Sequence, residues 1–537
     1  MLLSFIGNIF LAFLIFFSVT SLGFISNKKI FYISTQNFYE NFIFGLFIIL
    51  FYLKIHYFFV KIDLKSTFHL ILILFLSSIY CLKFIRFEKK IIFLFILTVL
   101  LIMNSDRFPY YDYIFDFGYY HNGYINWLNQ SNIVLGLANL HPSYGYTGNS
   151  YLLGSFLNFY PLLERGYIYT TTIFFLFYIF FIFYEIKKIQ DIFQKFFLIF
   201  SLYVILKFIF EEPLGDYAPY KINLILYFYI FYKFLHFLNN ENQTKQDFII
   251  IIFTISILIT LSPLSWILSV LLVIYLLTKR LNFFFDKNTI FCIFFIILFF
   301  VINFFKSGHI LYPLQINIFA AEFAVKNDFL YHIKNFPKNY LSGLEWMLPW
   351  FKSKFLTNSF CLIYGLLFFL VISLTILKDV NKNKNFKNFL KLFSLINILL
   401  LFWFFNSPDI KTGKVIFWTG IVITCSFLYS VWSKKIDILL RKFTFIKNPH
   451  SIIISFIFLV SLFSSLDNLI FLKNKTYKKD IINNFPTEKI FRLNDDFNLE
   501  LRYLDYTNNR FTTTNENSEL KKLKIQNTFF KKIFIDN

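Results

Sequence analysis

Residues 110–151 gather carboxylates, histidines, asparagines and glycines in a chain that is otherwise rich in phenylalanine, isoleucine and leucine. Four of them, Asp112, Asp116, Tyr120 and Trp127, recur near helical spacing, so a helix here places both carboxylates on one face. Two carboxylates at a low-dielectric boundary can serve as a general base and its orienting partner, because desolvation raises a carboxyl pKa while a neighbouring charge shifts that of its partner. A pair of solvated loop acids is the alternative interpretation.

Two histidines lie in the same stretch. His121 and His141 could join the carboxylates as metal ligands, but their spacing matches no standard zinc pattern. We therefore predict no metal site and no cofactor, with a bound divalent metal as the alternative. The residues GLANLHPSYGYTGNS that follow the histidine-containing run predict an ordered, turn-rich loop.

Three later segments add polar and aromatic residues in a similar setting. In the last of them, Asp409, Lys411 and Lys414 follow directly on a predicted membrane span, so the two cations lie at the level of the lipid headgroups. A lysine at that depth can bind a lipid phosphate as a point charge, although contact with ordinary headgroups would place it there equally well. The segments are KSGHILYPLQINIF at 306–319, GLEWMLPWFKSKF at 343–355 and WFFNSPDIKTGK at 403–414.

The elements that must hold these residues are apolar. The chain has 537 residues, of which 57% are hydrophobic and 83 are phenylalanine, with a mean hydropathy of +0.60. No soluble domain of this length would tolerate such a surface, so we predict an all-α polytopic membrane protein with about fourteen transmembrane helices, large external loops and a small C-terminal extramembrane α/β tail. The predicted spans lie near 2–24, 42–60, 66–85, 90–105, 166–185, 194–211, 220–237, 248–262, 264–278, 288–305, 358–377, 388–405, 414–432 and 450–466.

One long apolar run is interrupted by Pro263. Proline removes a backbone donor and clashes with the preceding turn, so the run is predicted to form a tight helical hairpin. A single kinked helix is the alternative.

The formal net charge of +21 is explained largely by the loops. Lysine and arginine collect in one set of alternate loops, beginning with Lys28 and Lys29, whereas the loops at 211–220 and 406–413 in the other set are acidic or nearly neutral. Because basic loops remain cytoplasmic, the acidic set, the large loops and the polar tail are predicted to lie outside. The lipid bilayer is thus the expected surroundings, and no nucleic-acid partner is predicted.

Six segments follow from this topology. The tail contains three predicted strands, in IFRL, LELRYL and FFKKIFI. The segments are N-terminal transmembrane helices at 1–105, an external motif loop with a juxtamembrane helix at 106–165, central transmembrane helices at 166–305, a second external loop at 306–357, C-terminal transmembrane helices at 358–466 and an external soluble tail at 467–537.

The motifs also carry a resemblance. DFGYYHNGYINWL, IVLGLANLHPSYGYTGNSYLL, SGHILYPL and WFFNSPDIK occur in that order along the chain. Together they resemble a poorly characterised family of bacterial polytopic membrane proteins, in which D-x-G-L-Y-H, I-x-W and V-P-G-L-A-N-L-H precede S-G-Y-x-x-Y-P and W-F-x-x-P-D-x-R. That family is similar to the GT-C superfamily of membrane glycosyltransferases.

The GT-C resemblance implies a sugar donor linked to polyprenyl phosphate, a surface glycan or lipid as acceptor, and a site in an external loop at the outer face of the bacterial cytoplasmic membrane. Carried over, Asp116 is the catalytic base, Asp112 is second to it and His121 assists. Lys411 faces the donor phosphate where the family motif has arginine, so the bidentate fork of arginine is missing there. Further substrate contacts are expected from Tyr120, Trp127, Asn139, His141, Asp409 and Lys414.

Two other functions stay open. About four spans precede the acidic loop, whereas GT-C enzymes usually place it after the first span, which leaves room for a polysaccharide polymerase or ligase. A transporter or flippase of lipid-linked saccharides is the second alternative. Transporters place ionisable residues inside their spans and show internal repeats. The predicted spans contain almost no ionisable residues and we find no repeat, which favours the transferase.

Overall fold

A computed structural model of the protein describes residues 2–33, 38–82, 121–140, 142–146, 148–162, 166, 169–211, 219–239, 245–314, 321, 323–325, 347–375, 384–406, 409–441, 489–494, 497–503, 511–513, 523–526 and 533–536. The predicted spans at 90–105 and 450–466 lie outside these residues.

Helices make up most of the described residues. The α-helices are α1 Leu2–Ser26, α2 Asn41–Phe59, α3 Leu64–Leu82, α4 Asn122–Gln130, α5 Asn149–Leu157, α6 Tyr169–Glu185, α7 Ile192–Glu211, α8 Pro219–Asn239, α9 Lys245–Ile259, α10 Leu264–Arg280, α11 Lys287–Ser307, α12 Met347–Trp350, α13 Ser359–Thr375, α14 Lys384–Asn406 and α15 Ile410–Arg441. Short 3-10 turns lie at Phe38–Glu40, Leu137–Asn139, Pro142–Gly145 and Leu281–Phe285, and π-helical turns at Asn27–Phe31 and Phe351–Phe355.

Eight helices in the described part of the chain are long and apolar enough to cross a membrane. A bent pair, Met347–Phe355 with Ser359–Ser373, brings the number to nine if it counts as one span, and its two halves meet at 107°. The protein is therefore a multi-pass helical membrane protein, while the number of fourteen spans stays a prediction. The eight are Ile9–Phe31, Phe38–Phe59, Leu64–Leu82, Ile192–Ile209, Pro219–Asn239, Lys287–Ser307, Asn385–Asn406 and Thr412–Trp432.

The predicted break at Pro263 is confirmed. Helix α9 ends at Ile259, α10 begins at Leu264, and the two helices pack against each other. The Pro263 carbonyl accepts a hydrogen bond from the Trp266 amide at 3.0 Å, so the proline lies in the first turn of the second helix, where its missing N–H costs nothing.

Helices α1 and α2 approach each other closely. A Cβ atom on Gly23 would lie 1.8 Å from the Asn41 carbonyl oxygen, and one on Gly45 would lie 1.9 Å from the Val19 carbonyl oxygen. Only glycine allows this backbone contact, as at many helix crossings in membranes. The Asn27 side-chain amide also donates to Asn41 Oδ1 at 2.9 Å, which fixes the turn between the two helices.

The connections define two ends of the helix bundle. Helices α2, α7, α9 and α11 all end where α4 and α5 lie, and we call this the motif end. At the other end, called the opposite end, α6 and α8 end and α2 and α11 begin. The described parts of the segments predicted to be external, including the turn at 351–355, lie at the motif end.

Ionisable side chains inside the helices are the main departure from the sequence analysis, which expected almost none. Lys54, Lys233, Lys306 and Glu185 lie within α2, α8, α11 and α6 and are buried. Each is held by a specific contact: Lys54 Nζ, for example, lies 3.2 Å from the centroid of the Phe295 ring. Their presence removes the argument against transport that rested on apolar spans.

Five strands lie in the described part of the tail. Strand β1 Lys489–Asn494 pairs antiparallel with β2 Phe497–Tyr503, β2 pairs parallel with β3 Phe511–Thr513, and β4 Leu523–Gln526 pairs antiparallel with β5 Ile533–Asp536. Strand β3 lies against α4, and β5 lies against the turn at 137–139. Three of these strands overlap the predicted ones, while an α/β fold for the tail stays a prediction.

Candidate functional site

The motif loop is tied to the helix bundle through the connection between α2 and α3. The Ile62 amide donates to the Leu128 carbonyl at 2.9 Å, and the Ile133 amide donates to the Tyr57 carbonyl at 3.2 Å. Asn129 is fully buried, and its side-chain amide donates to the carbonyls of Ile62 and Ser155. The C-terminal end of helix α4 is thus fixed to the last turn of α2, to the connection that follows it and to α5.

The structure brings the two glycine-containing motifs together. The Gly136 amide donates to the Phe305 carbonyl at 3.1 Å, and the Asn139 side-chain amide donates to the Phe323 carbonyl at 3.1 Å. Gly145 lies directly against the Tyr312 ring. The turns around Gly136, Asn139 and Gly145 therefore pack against the chain that follows α11, far away in sequence, at the motif end. Burial raises the pKa of Tyr312, so its phenol stays protonated there.

The end of α11 is shaped by the SGH motif. Gly308 has a φ of +74° and its amide donates to the Phe304 carbonyl at 2.7 Å, which ends the helix in the left-handed conformation that glycine adopts most readily. The Ser307 hydroxyl donates to the Asn303 carbonyl and accepts from the His309 amide. This cap holds Lys306 in the last turn of α11, beneath α4.

Lys306 joins a cluster of aromatic side chains through Tyr124, and we call it the tyrosine cluster: His121, Tyr124, Tyr144, Tyr151 and Lys306. His121 Nδ1 lies 2.5 Å from the Tyr151 hydroxyl, and the Tyr151 ring meets the Tyr124 ring edge-on at 4.9 Å. Tyr124 stacks on Tyr144 with ring centroids 5.5 Å apart. Lys306 Nζ donates to the Tyr124 hydroxyl and lies 4.3 Å from the centre of that ring.

The direction of these hydrogen bonds determines what the tyrosine cluster can do. An ammonium group carries only donors, so the Tyr124 oxygen accepts from Lys306 and the phenolic O–H of Tyr124 is directed to a different acceptor. Lys306 is fully buried, so Tyr124 and the rest of the cluster shield its amine from solvent. The buried cluster combines hydrogen-bond donors, a lysine and aromatic rings, which are the groups that recognise a phosphorylated sugar.

The residues predicted around 403–414 form a helix cap. Asp409 Oδ2 accepts from the Thr412 amide at 3.2 Å, the geometry of an N-cap for α15, and the Asp409 carbonyl accepts from Trp403 Nε1 at 3.0 Å. Lys414 Nζ lies 4.5 Å from the centre of the Phe208 ring of α7. These contacts place Asp409 and Lys414 at the motif end, with Trp403 and Phe208 as partners; for Lys411 the structure gives only the backbone, in the first turn of α15.

The predicted site residues are therefore divided. Asp112, Asp116, Tyr120 and His141 lie outside the described residues. His121 lies in the tyrosine cluster, whereas Trp127 and Asn139 are buried behind it, with 2% and 6% of their surfaces exposed. Across the described ranges, no three His, Cys, Asp or Glu side chains are grouped so as to hold a metal ion.

Sequence reasoning missed four members of the tyrosine cluster: Tyr124, Tyr144, Tyr151 and Lys306. The three tyrosines are hidden among the 34 tyrosines of the chain. Lys306 did carry a signal, because it opens the quoted segment KSGHILYPL as a single cation at the end of an apolar run. Its contact with Tyr124 joins residues 182 positions apart, which no local pattern indicates.

Comparison with known proteins gives one match. The sequence model of a family described as a domain of unknown function, DUF8201, matches residues 1–418, a range that includes the tyrosine cluster and the cap of α15. No curated protein and no solved structure matches the chain.

Proposed function

The chain belongs to the DUF8201 family, whose description assigns no activity, and from that premise we propose that it is a GT-C-like membrane glycosyltransferase. It transfers a sugar from a polyprenyl-phosphate-linked donor to a surface glycan or lipid at the outer face of the bacterial cytoplasmic membrane. The motif end is the outer end in this proposal, consistent with the basic loops at the opposite end.

The observation that carries the proposal is the buried lysine of the tyrosine cluster. Lys306 donates to Tyr124 beneath α4, and α4 directly follows the segment that contains Asp116. A cation held by tyrosines at the end of a membrane helix can neutralise the phosphate of a lipid-linked donor while the lipid chain stays in the bilayer. The rings of Tyr124 and Tyr144 stack beside Lys306, buried in the same cluster.

The reaction we propose is an inverting displacement. Asp116 takes the proton of the acceptor hydroxyl as its oxygen attacks C1 of the donor sugar. The bond between C1 and the phosphate oxygen breaks, and the polyprenyl phosphate leaves with the bonding electron pair. Lys306 stabilises the charge that develops on the leaving phosphate, taking the part that the sequence analysis gave to Lys411. His121 and Tyr151 orient the acceptor through their shared hydrogen bond.

The proposal is tested by replacing the base. We expect Asp116→Asn to abolish the surface glycan at normal protein levels, because an amide accepts no proton. Asp112→Asn is the matched control, since it changes the neighbouring carboxylate in the same way and is expected to retain more product. Glycan analysis by gel and mass spectrometry gives the readout, and full retention of glycan in Asp116→Asn would refute the catalytic assignment.

A transporter or flippase remains the second candidate because of a specific observation at the opposite end. There Lys233 forms a buried ion pair with Glu40, and the Tyr229 hydroxyl donates to Glu40 Oε1 at 3.2 Å. Glu185 is also buried and accepts from the Tyr232 hydroxyl at 3.4 Å. Buried charges between membrane helices are typical of ion-coupled transport. If the opposite end rather than the motif end were essential, this second function would be preferred.

A further inference from the structure

A polar group joins α2 and α3 on the outside of the bundle. Tyr52 Oη lies 3.0 Å from His56 Nδ1 and is also hydrogen-bonded to His69 Nε2. The Tyr52 ring stacks on His56 with centroids 5.3 Å apart and meets His69 edge-on at 5.2 Å. One phenol thus bridges two imidazoles from two helices, and we call these three residues the His–Tyr–His bridge.

The bridge lies on a surface that faces lipid. The neighbouring side chains are large, apolar and exposed, as on a helix that contacts the bilayer directly. Polar groups at such a surface are costly unless they have a partner, so an ionisable group there indicates a function. The exposed apolar neighbours are Ile55, Phe59, Phe68, Leu72 and Leu76.

The depth of the bridge corresponds to the headgroup region. His56 lies one turn before the end of α2 and His69 lies just over one turn after the start of α3, so both are about 5 to 8 Å below the helix ends at the usual rise per residue. Lys65 is exposed one turn before His69 and shares its face of α3. The Ile62 amide, in the connection between α2 and α3, donates to the Leu128 carbonyl of α4. The bridge and the tyrosine cluster therefore both lie at the motif end.

From these observations we propose that the His–Tyr–His bridge binds the phosphate headgroup of a lipid that arrives through the bilayer. In the neutral bridge the Tyr52 hydroxyl donates to one imidazole and accepts from the other, which satisfies the hydroxyl and one nitrogen of each ring. When the imidazoles are protonated, both rings become donors, and a phosphate oxygen can replace Tyr52 as their shared acceptor. His56 Nε2 is buried without a well-formed hydrogen bond, although the Lys61 backbone lies near the ring.

The charges around the bridge favour an anion. Burial tends to raise the pKa of Asp63, but the Ser66 amide and the Lys61 ammonium, 3.0 Å away, hold it below its ordinary value. Asp63 is therefore committed to Lys61, while Lys65 extends the cationic face of α3. Helices α1 and α5 carry no charged side chain, and on α11 Lys306 lies against Tyr124. Only the choice of a polyprenyl phosphate as the ligand rests on the proposed function.

The test measures binding without transfer. The purified full chain in phosphatidylcholine nanodiscs is titrated with a polyprenyl monophosphate, and complexes are counted by native mass spectrometry at pH 6 and pH 8. We expect tighter binding at pH 6, and at least about tenfold weaker binding in His69→Gln and His56→Gln, because each loses a charge-assisted hydrogen bond. His236→Gln is the control: it changes a histidine at the opposite end and should bind the lipid phosphate as the wild type does.

Each outcome decides the proposal. Equal binding of polyprenol without phosphate, or of inorganic phosphate alone, would overturn a lipid-phosphate site. Unchanged, pH-independent binding in the histidine variants would show that the bridge only joins α2 to α3, which also overturns it. The result is separate from the proposed function: if Asp116→Asn retained the glycan while the histidine variants lost lipid phosphate, the transferase would fall and this site would stand.

Discussion

Tyrosines and lysines meet at both ends of the helix bundle, but their hydrogen bonds run in opposite directions. At the motif end, the Tyr124 hydroxyl accepts from Lys306. At the opposite end, the hydroxyls of Tyr229 and Tyr232 donate to carboxylates, and Lys233 is paired with one of those carboxylates, Glu40. The same residue types therefore build a donor-rich cluster at one end and an internally compensated ion pair at the other.

The difference indicates where a ligand would act. A buried ammonium paired with a carboxylate is neutral as a unit, and its main effect is on stability. A buried lysine that donates to a phenol, as Lys306 does to Tyr124, can also donate to an incoming anion. We therefore place phosphate recognition at the motif end and a structural role at the opposite end.

The largest effect is expected at the opposite end. Lys233→Met leaves the Glu40 carboxylate buried without its cation, so we expect the free energy of unfolding to fall by about 3–5 kcal/mol. The double variant Lys233→Met with Glu40→Gln removes both charges and should recover much of that loss. Circular dichroism during unfolding in a denaturing detergent measures the free energy of unfolding of the single and the double variant. Loss of the surface glycan in a stable double variant would contradict a purely structural role for this pair.

A smaller effect on stability but a large one on activity is expected at the motif end. Lys306→Met keeps the volume of the side chain and removes its charge, so we expect transfer to fall by about 100-fold or more, as when one donor to a developing oxyanion is lost. Lys54→Met is the matched control, because Lys54 is another buried lysine held over an aromatic ring. The amount of surface glycan at equal protein levels measures both. Equal amounts of surface glycan in Lys306→Met and Lys54→Met would contradict the assignment of phosphate recognition to the motif end.

The smallest effect concerns the cap of α15. Asp409→Asn retains the side-chain oxygen that accepts from the Thr412 amide, so stability and glycan should both stay close to those of the wild type. Asp409→Ala loses the cap and should cost about 1 kcal/mol of stability. Thermal unfolding of the wild type, Asp409→Asn and Asp409→Ala measures these differences in stability. A loss of glycan in the stable Asp409→Asn variant would show instead that the carboxylate charge contacts substrate.

The parts of the fold that the sequence predicts are those set by local chemistry. Apolar runs predict the membrane helices, and the proline at position 263 predicts the hairpin because its missing donor acts on the adjacent turn. The number of buried ionisable residues was predicted too low. A lysine in an apolar run contacts its partner only when the helices pack, so the sequence does not indicate that partner. Lys233 finds Glu40, and Lys306 finds Tyr124, across long separations in sequence.

In the candidate site, too, the sequence predicts the features that local chemistry sets and not those that depend on helix packing. The clustering of polar motifs in the chain points to the motif end, where the structure joins LGLANLHPSYG to SGHILYP. The capping role of Asp409 follows from its position one residue before α15, and the predicted span at 414–432 corresponds to the apolar span Thr412–Trp432 within that helix. Which side chain meets a phosphate depends on tertiary contacts: the sequence motif points to Lys411, whereas the packing points to Lys306.

The most direct test of the central claim is a structure of the full chain with a polyprenyl phosphate in a lipid nanodisc. We predict phosphate density at the motif end within hydrogen-bonding distance of Lys306 Nζ, about 3 Å, with the lipid chain leading into the bilayer. Phosphate density beside Glu40 and Lys233 at the opposite end, with the tyrosine cluster unchanged, would contradict the proposed site.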